Sequence, residues 1–166
     1  KKFLLIGNQN ALTYKEIFPL IQKNEVWTGY QFGEMKFRVP NSSEPRNTRY
    51  WVDETGQKWR SLGNAMWLTN LDIERRHRWL QLTKKYSPID YPTYDNFDGI
   101  EVSRVVNIPK DYKGIMGVPI TFLDKYNPDQ FEVLNCSAFA DPDYFGCGAL
   151  YVNSKKTYAR ILIRQK

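Results

Sequence analysis

An α/β fold organised as a single domain over residues 1–166 is predicted by three features of the sequence. The chain opens strand, helix, strand; its 166 residues suffice for one buried core; and 42% of them are hydrophobic and 15% aromatic, too rich in core-forming side chains for a disordered segment. Strand, helix, strand is the crossover unit of a parallel sheet, so a parallel arrangement is expected at the start of the chain.

Each element has a local cause. Phe3 to Ile6 is an unbroken apolar run closed by Gly7-Asn8, the pattern of a strand covered on both faces. Such a strand needs neighbours, and its position at the very start, with no initiating Met and no leader, leads us to expect a longer parent protein. Thr13 and Glu16 have capping-box spacing, and Tyr14, Ile17, Phe18 and Ile21 repeat at i, i+3, i+4 and i+7, one apolar helical face. Pro19 lies inside that pattern and must kink the helix or restart it. Glu25 to Tyr30 reads as the second strand.

Residues 32–62 change in composition and read as an insertion on the sheet. Pro40, Asn41, Ser42, Ser43 and Pro45 form a loop, followed by a hairpin that turns near Thr55-Gly56. Gly63 to Leu71 returns to a buried strand, and Asp72 is placed to cap a short helix through residues 73–82. Residues 86–116 form a long ordered loop, aromatic and Pro-containing from Tyr86 to Pro109; length of this kind in a loop often signals function. Pro119 opens a short helix that Asn127-Pro128 ends, and Gln130 to Phe139 and Lys155 to Arg164 read as strands.

Lys and Arg total 24 against 18 Asp and Glu, a formal net charge of +6 that favours an anionic partner, nucleic acid first and an acidic membrane surface second. Lys36, Arg38, Arg46, Arg49, Lys58 and Arg60 interleave with Phe37, Tyr50, Trp51 and Trp59, a mixture that suits phosphates and base edges. A solvated hairpin with one aromatic face packed down is the equally open alternative. Arg75 and Arg76, in the stretch Glu74 to Trp79, form the next basic patch, where a solvated face is favoured. His77 has no Cys or Ser at nucleophile spacing and reads as a surface structural residue. Cys136 and Cys147 have neither CxxC spacing nor a nearby His, so no zinc site and no metal is expected. No apolar run is long enough for a membrane helix, and a reduced, cytoplasmic setting with no membrane partner is the simplest expectation.

Two tetrapeptides come near Asp/Asn-Pro-Pro-Tyr/Phe, the motif that grips the exocyclic amine of adenine: Asp141-Pro142-Asp143-Tyr144, which differs at one residue, and Asn127-Pro128-Asp129-Gln130, which differs at two. That chemistry needs the base out of its stack against an aromatic face, with its amine donating to an Asp or Asn oxygen and to a fixed backbone carbonyl. Asp in place of the second Pro frees the backbone and adds a charge, so Asp141-Pro142 reads as a turn and Asn127-Pro128 as a helix stop. No glycine-rich phosphate loop follows the first strand.

Several blocks, among them KFLLIGNQNALTYKEIFPLI, YWVDETGQKWRSLGNAMWLTNLD and GVPITFLDKYNPDQFE, together spanning nearly the whole chain, resemble the carboxy-terminal portion of EcoRI-type adenine-specific DNA methyltransferases. The resemblance implies part of a Rossmann-like methyltransferase sheet carrying an inserted hairpin and recognition region, S-adenosylmethionine as methyl donor, and double-stranded DNA as partner. It also implies that the cofactor loop and the true catalytic tetrapeptide lie upstream, leaving no catalytic residue in this chain and making it inactive alone. Carried over by position, Asn8 and Asn10 fall after a parallel strand, where such sheets place ligands. With Trp67, Thr69 and Asn70 they are candidates for the adenine pocket, and Arg46, Arg49, Lys58, Arg60, Arg75 and Arg76 for DNA contacts. A non-catalytic DNA-recognition module, or an α/β domain with incidental charge, remains open.

Overall fold

The computed structural model describes residues 1–138 and 147–166, and its framework is one antiparallel and one mixed sheet with few helices. The first sheet is assembled on one long strand. β1 (Leu4–Asn8), β2 (Trp27–Arg38) and β3 (Tyr50–Val52) each pair antiparallel with β4 (Lys58–Thr69), in the order β1-β4-β2, with β3 beside β4. β1 covers Ala65–Thr69 and β3 covers Lys58–Arg60, while β2 runs along the opposite edge of β4. The second sheet has the order β5-β6-β10-β7, from β5 (Ile100–Glu101), β6 (Met116–Pro119), β7 (Phe131–Cys136) and β10 (Arg160–Gln165). Only β5 and β6 pair in parallel there. β8 (Tyr151–Val152) and β9 (Lys155–Lys156) form a small hairpin.

The expected parallel crossover is present in altered form. β1 and β2 are both antiparallel to β4, hence parallel to each other, but β4 is inserted between them. Nor is β1 covered on both faces: Leu4, Leu5 and Ile6 are 52%, 56% and 59% exposed. Successive strand residues point to opposite faces, so apolar side chains are open on both.

The capping box expected at Thr13 does not form. Thr13 donates its hydroxyl to the Asn10 carbonyl within a 3-10 turn (Gln9–Thr13), and α1 (Phe18–Gln22) starts with Ile17 as its cap residue and Pro19 in its first turn. Pro is tolerated only there, so the helix restarts at the proline. Phe18 and Ile21 enter the core, whereas Tyr14 stays exposed.

The helix expected over residues 73–82 is likewise replaced, by a four-residue 3-10 turn (Glu74–His77) followed by extended chain. Ile73 holds the cap position, and Asp72 instead pairs with His77. Tertiary partners override the helical pattern. Asn127, fully buried, donates to the His77 carbonyl, and the Gln130 amide bonds both Leu80 N–H and Leu80 C=O, holding this segment extended against the second sheet.

Residues from both sheets and α1 share one core, with Leu12, Phe18, Met66, Leu68, Phe122, Phe131, Ile161 and Ile163 at its centre. The opposite face of β10 sends Leu162 into a smaller cluster with Tyr94 and Leu150. Glu101 on β5 and Arg160 on β10 form a buried ion pair across β6, the Arg160 guanidinium donating to both carboxylate oxygens. Tyr94 donates its hydroxyl to the same carboxylate. Its ring lies over Gly117 of β6, where a Cβ would overlap the hydroxyl, so this strand position is closed to every other residue. Burial and the adjoining carboxylate push the Tyr94 hydroxyl far above its ordinary range, which keeps it a donor.

Gly117→Ala is therefore expected to cost roughly 2–4 kcal/mol, by overpacking and by opening a buried charge pair. Tyr94→Phe, which removes only the hydroxyl, should cost about 1 kcal/mol. Urea unfolding of both variants checks the ranking.

Candidate nucleic-acid interface

The strand pairings divide the length of β4 into two groups. Residues directly opposite each other share a face, so Ala65, Trp67 and Thr69 of β4 lie with Asn8, Ile6 and Leu4 of β1, while Trp59 and Ser61 lie with Arg38 and Lys36 of β2 and Trp59 with Trp51 of β3. Against β2 the register gains one residue of β4 between Leu62 and Ala65, a bulge that breaks the alternation between the two groups. The β1 end of β4 is apolar and the β3 end cationic.

At the cationic end Trp51 and Trp59 stack with centroids 6.2 Å apart and planes 6° from parallel. The Lys36 ammonium stands 5.7 Å from the Trp51 centroid and the Arg38 guanidinium 5.4 Å from that of Trp59. Lys36 and Arg38 are exposed, and among the described residues the only carboxylate in reach is Glu34, 3.8 Å from Lys36. The ladder is set by the β3–β4 turn. Asp53 accepts from Thr55 N–H, Thr55 hydroxyl and Gln57 N–H through one oxygen, and from the Trp59 indole N–H through the other. Gly56 takes the left-handed conformation this turn requires, at φ 82°. These hydrogen bonds, led by Thr55 and then Trp59, hold the Asp53 carboxyl at about 2, against an ordinary 3.8.

Between the two ends, on the edge of β4 left open between β1 and β3, lies a cleft of about 330 Å³. Asn8, Arg49, Gly63 and Asn64 line it. The Arg49 guanidinium rests against Gly63, in the place a Cβ would occupy.

The candidate residues named from the sequence do not converge on one pocket. Asn8 stands at the carboxyl end of β1, in the cleft, where its side chain caps the turn through Asn10 N–H. Trp67 sits opposite Ile6 and packs against Gly29. Thr69 and Asn70 are at the other end of β1, because β4 runs antiparallel to it, and both clamp the chain before β1: Thr69 donates to Phe3 C=O, and Asn70 accepts from Phe3 N–H and donates to Lys1 C=O. The five residues of β1 separate the two groups by roughly 13 Å at strand rise.

The basic candidates divide similarly. Lys58 donates to the Asn41 and Ser43 carbonyls and Arg60 to that of Glu44, so both hold the 40–45 loop. Arg75 is tied to the Tyr30 carbonyl and to Asp124, and Arg76 lies 3.7 Å above the Trp27 ring and donates to Asn24. Burial raises the Asp124 carboxyl, with Arg75 opposing the shift. Arg46 and Arg49 are exposed with no hydrogen-bonding or ionic side-chain partner among the described residues. Lys36 and Arg38, which the sequence placed in the basic-aromatic region but not among its leading candidates, occupy the ordered ladder; their i, i+2 spacing on one strand was the available signal.

Of the near-miss tetrapeptides, Asp141 to Tyr144 lies outside the described residues. In the other, Asn127 is buried, its oxygen accepts from Asp129 N–H and its amide reaches His77, leaving nothing to grip an incoming amine. Among the described residues no group of three or more His, Cys, Asp or Glu is placed to hold a metal, Cys136 and Cys147 are free thiols, and no helix is long and apolar enough to cross a membrane.

The family model described as adenine-specific methyltransferase EcoRI matches residues 1–166. The whole chain is 45% identical to Type II methyltransferase M.EcoRI of Escherichia coli, of which it covers 51%, and 34% identical to Type II methyltransferase M.MpnI of Mycoplasma pneumoniae, of which it covers 57%. Type II methyltransferase M.MgeORF184P of Mycoplasma genitalium is 32% identical, with 57% covered. The chain thus spans about half the length of the curated relatives it matches. No solved structure matches it significantly. The chain belongs to the family of EcoRI-type adenine-specific methyltransferases.

Asp53 controls the ladder, and its lowered carboxyl fixes the sign of the pH dependence. Its stabilisation is present above 3.8 and lost as pH falls toward about 2. The far-ultraviolet circular-dichroism couplet of the stacked Trp51 and Trp59 should fade over that window and be weakened at every pH in Asp53→Ala. An unchanged couplet in Asp53→Ala would show that the turn holds the stack without this carboxylate.

Proposed function

We propose that this chain is the DNA-facing portion of a DNA adenine methyltransferase, whose parent protein transfers a methyl group from S-adenosylmethionine to the exocyclic amine of adenine in a specific duplex site. The observation that carries this reading is the family match along all 166 residues. The ordered cation-aromatic ladder supports assigning the DNA contacts to the β3 end of the first sheet, with Lys36, Arg38, Arg46 and Arg49 as the cations that meet phosphates. Lys58, Arg60, Arg75 and Arg76 act behind them, by fixing the loop and strands that carry the face.

The residues present do not fit the methyl donor. The one glycine here, Gly7, lies within β1, and a short 3-10 turn without glycine follows, where a nucleotide-type cofactor needs a glycine-rich loop opening a full helix. We assign the donor, which supplies the methyl group when bound, to the part of the parent outside this chain, together with the catalytic tetrapeptide. β1 supports the same division. A strand apolar and exposed on both faces, with one edge unpaired, fits the margin of a larger Rossmann-like sheet whose further strands and helices belong to that other part.

In the full-length parent, Lys36→Ala/Arg38→Ala should weaken duplex binding roughly tenfold and lower the slope of log affinity against log salt by nearly two, about 0.9 for each phosphate no longer neutralised. Methyl transfer to adenine by the parent, followed with labelled donor, tests the activity itself. A parent that binds duplex DNA but transfers no methyl group would favour a recognition module instead.

A further inference from the structure

β4 lacks a strand partner on one edge only along Ser61–Asn64, between the residues covered by β3 and those covered by β1. The chain entering β3 closes this gap in an unusual way. Arg49 donates no side-chain hydrogen bond among the described residues, yet its backbone is held at φ 54° and its carbonyl accepts from Ser61 N–H. A left-handed conformation is unfavourable for any residue with a Cβ. The strained backbone sends the guanidinium across the gap onto Gly63, against which it lies only because Gly63 has no side chain. Strain at a residue with no internal ligand is the pattern of a group organised in advance for an external one.

The surroundings select the ligand. Among the described residues no carboxylate lines the cleft. Asn8 and Asn64 contribute neutral amides; the Asn8 oxygen is occupied by Asn10 N–H, leaving its amide hydrogens as free donors. A guanidinium lying on the Gly63 backbone among amide donors suits a tetrahedral oxyanion. The cleft opens at the carboxyl end of β1, between the apolar and cationic ends of β4.

We propose that this cleft is a seat for one DNA phosphodiester, with the Arg49 guanidinium as its cation and Gly63 as the residue whose missing side chain makes room for it. The proposal rests on the methyltransferase reading and adds to it a single positioning contact between the sheet that carries β1 and the ladder of Lys36 and Arg38.

The test uses the full-length parent and a fluorescent duplex, titrated over a salt series for wild type, Arg49→Ala, Arg49→Lys and Gly63→Ala, with thermal unfolding of each. Arg49→Ala is expected to weaken binding about tenfold on every duplex sequence and to lower the salt slope by about one. Arg49→Lys should keep the slope while losing part of the affinity, since the charge remains without the planar fork. Gly63→Ala should match Arg49→Ala although the arginine is present; if Gly63→Ala unfolds, the two Arg49 variants decide. Wild-type affinity and slope for Arg49→Ala, in a parent that binds and methylates DNA, would overturn the seat and leave the methyltransferase reading intact. Lost discrimination between duplexes at an unchanged slope would make Arg49 a base contact and overturn the phosphodiester. A parent that neither binds nor methylates DNA would remove the underlying reading and the seat with it.

Discussion

The first sheet depends on the pairing of β4 with every other strand in it. β1, β2 and β3 make no sheet among themselves; each is placed by its register on those twelve residues. Register in turn decides faces, because strand side chains alternate and a slip of one residue would exchange them. Met66 and Leu68 go to the core, so Trp67 goes to the other side and takes Ile6 with it, and beyond the bulge between Leu62 and Ala65 the pairing of Trp59 sets the side of Arg38 and Trp51 in the same way. The order of chemistry along β4, apolar, amide, then cationic and aromatic, is thus a consequence of the register on either side of that bulge.

The second sheet supports this arrangement without contributing to the face. Its buried polar groups are spent on shape: Asn127 and Gln130 hold residues 77–80 extended, and Glu101, Arg160 and Tyr94 lock the long loop to the last strand over Gly117. Arg75 and Arg76 then fasten the extended segment to β2 through the Tyr30 carbonyl and the Trp27 ring. Much of the chain's basic character is structural in this way, and net charge overstates the cations available to an anionic partner.

What could be read from the sequence was what local physics decides. Pro19 placed a helix start and Thr55-Gly56 a turn, the short helix expected after Pro119 formed as a 3-10 segment (Ile120–Lys125) ending before Asn127, and the apolar runs became strands. What could not be read was long-range. Nothing near Phe3 to Ile6 says that a strand more than fifty residues later will insert between it and the next one. The helical pattern over 73–82 lost to partners at Tyr30, Asp124 and Gln130. Lys58 and Arg60 look like free cations until the 40–45 loop is seen folded over them. One signal in the sequence does point to the cleft: a glycine inside a strand marks a close approach, and Gly63 sits under Arg49.

β1 is where this chain and the rest of its parent meet. Three apolar residues open on both faces, beside an unpaired edge, are an aggregation hazard in isolation and an ordinary inner strand if another strand lies alongside. Residue-resolved hydrogen exchange across Leu4–Asn8 in the full-length parent separates the two. Slow exchange at every position, including the amides that point away from β4, is the expected result. Slow exchange only at alternate positions, those bonded to β4, would show that β1 ends the sheet and would contradict the division of the enzyme between this chain and the remainder.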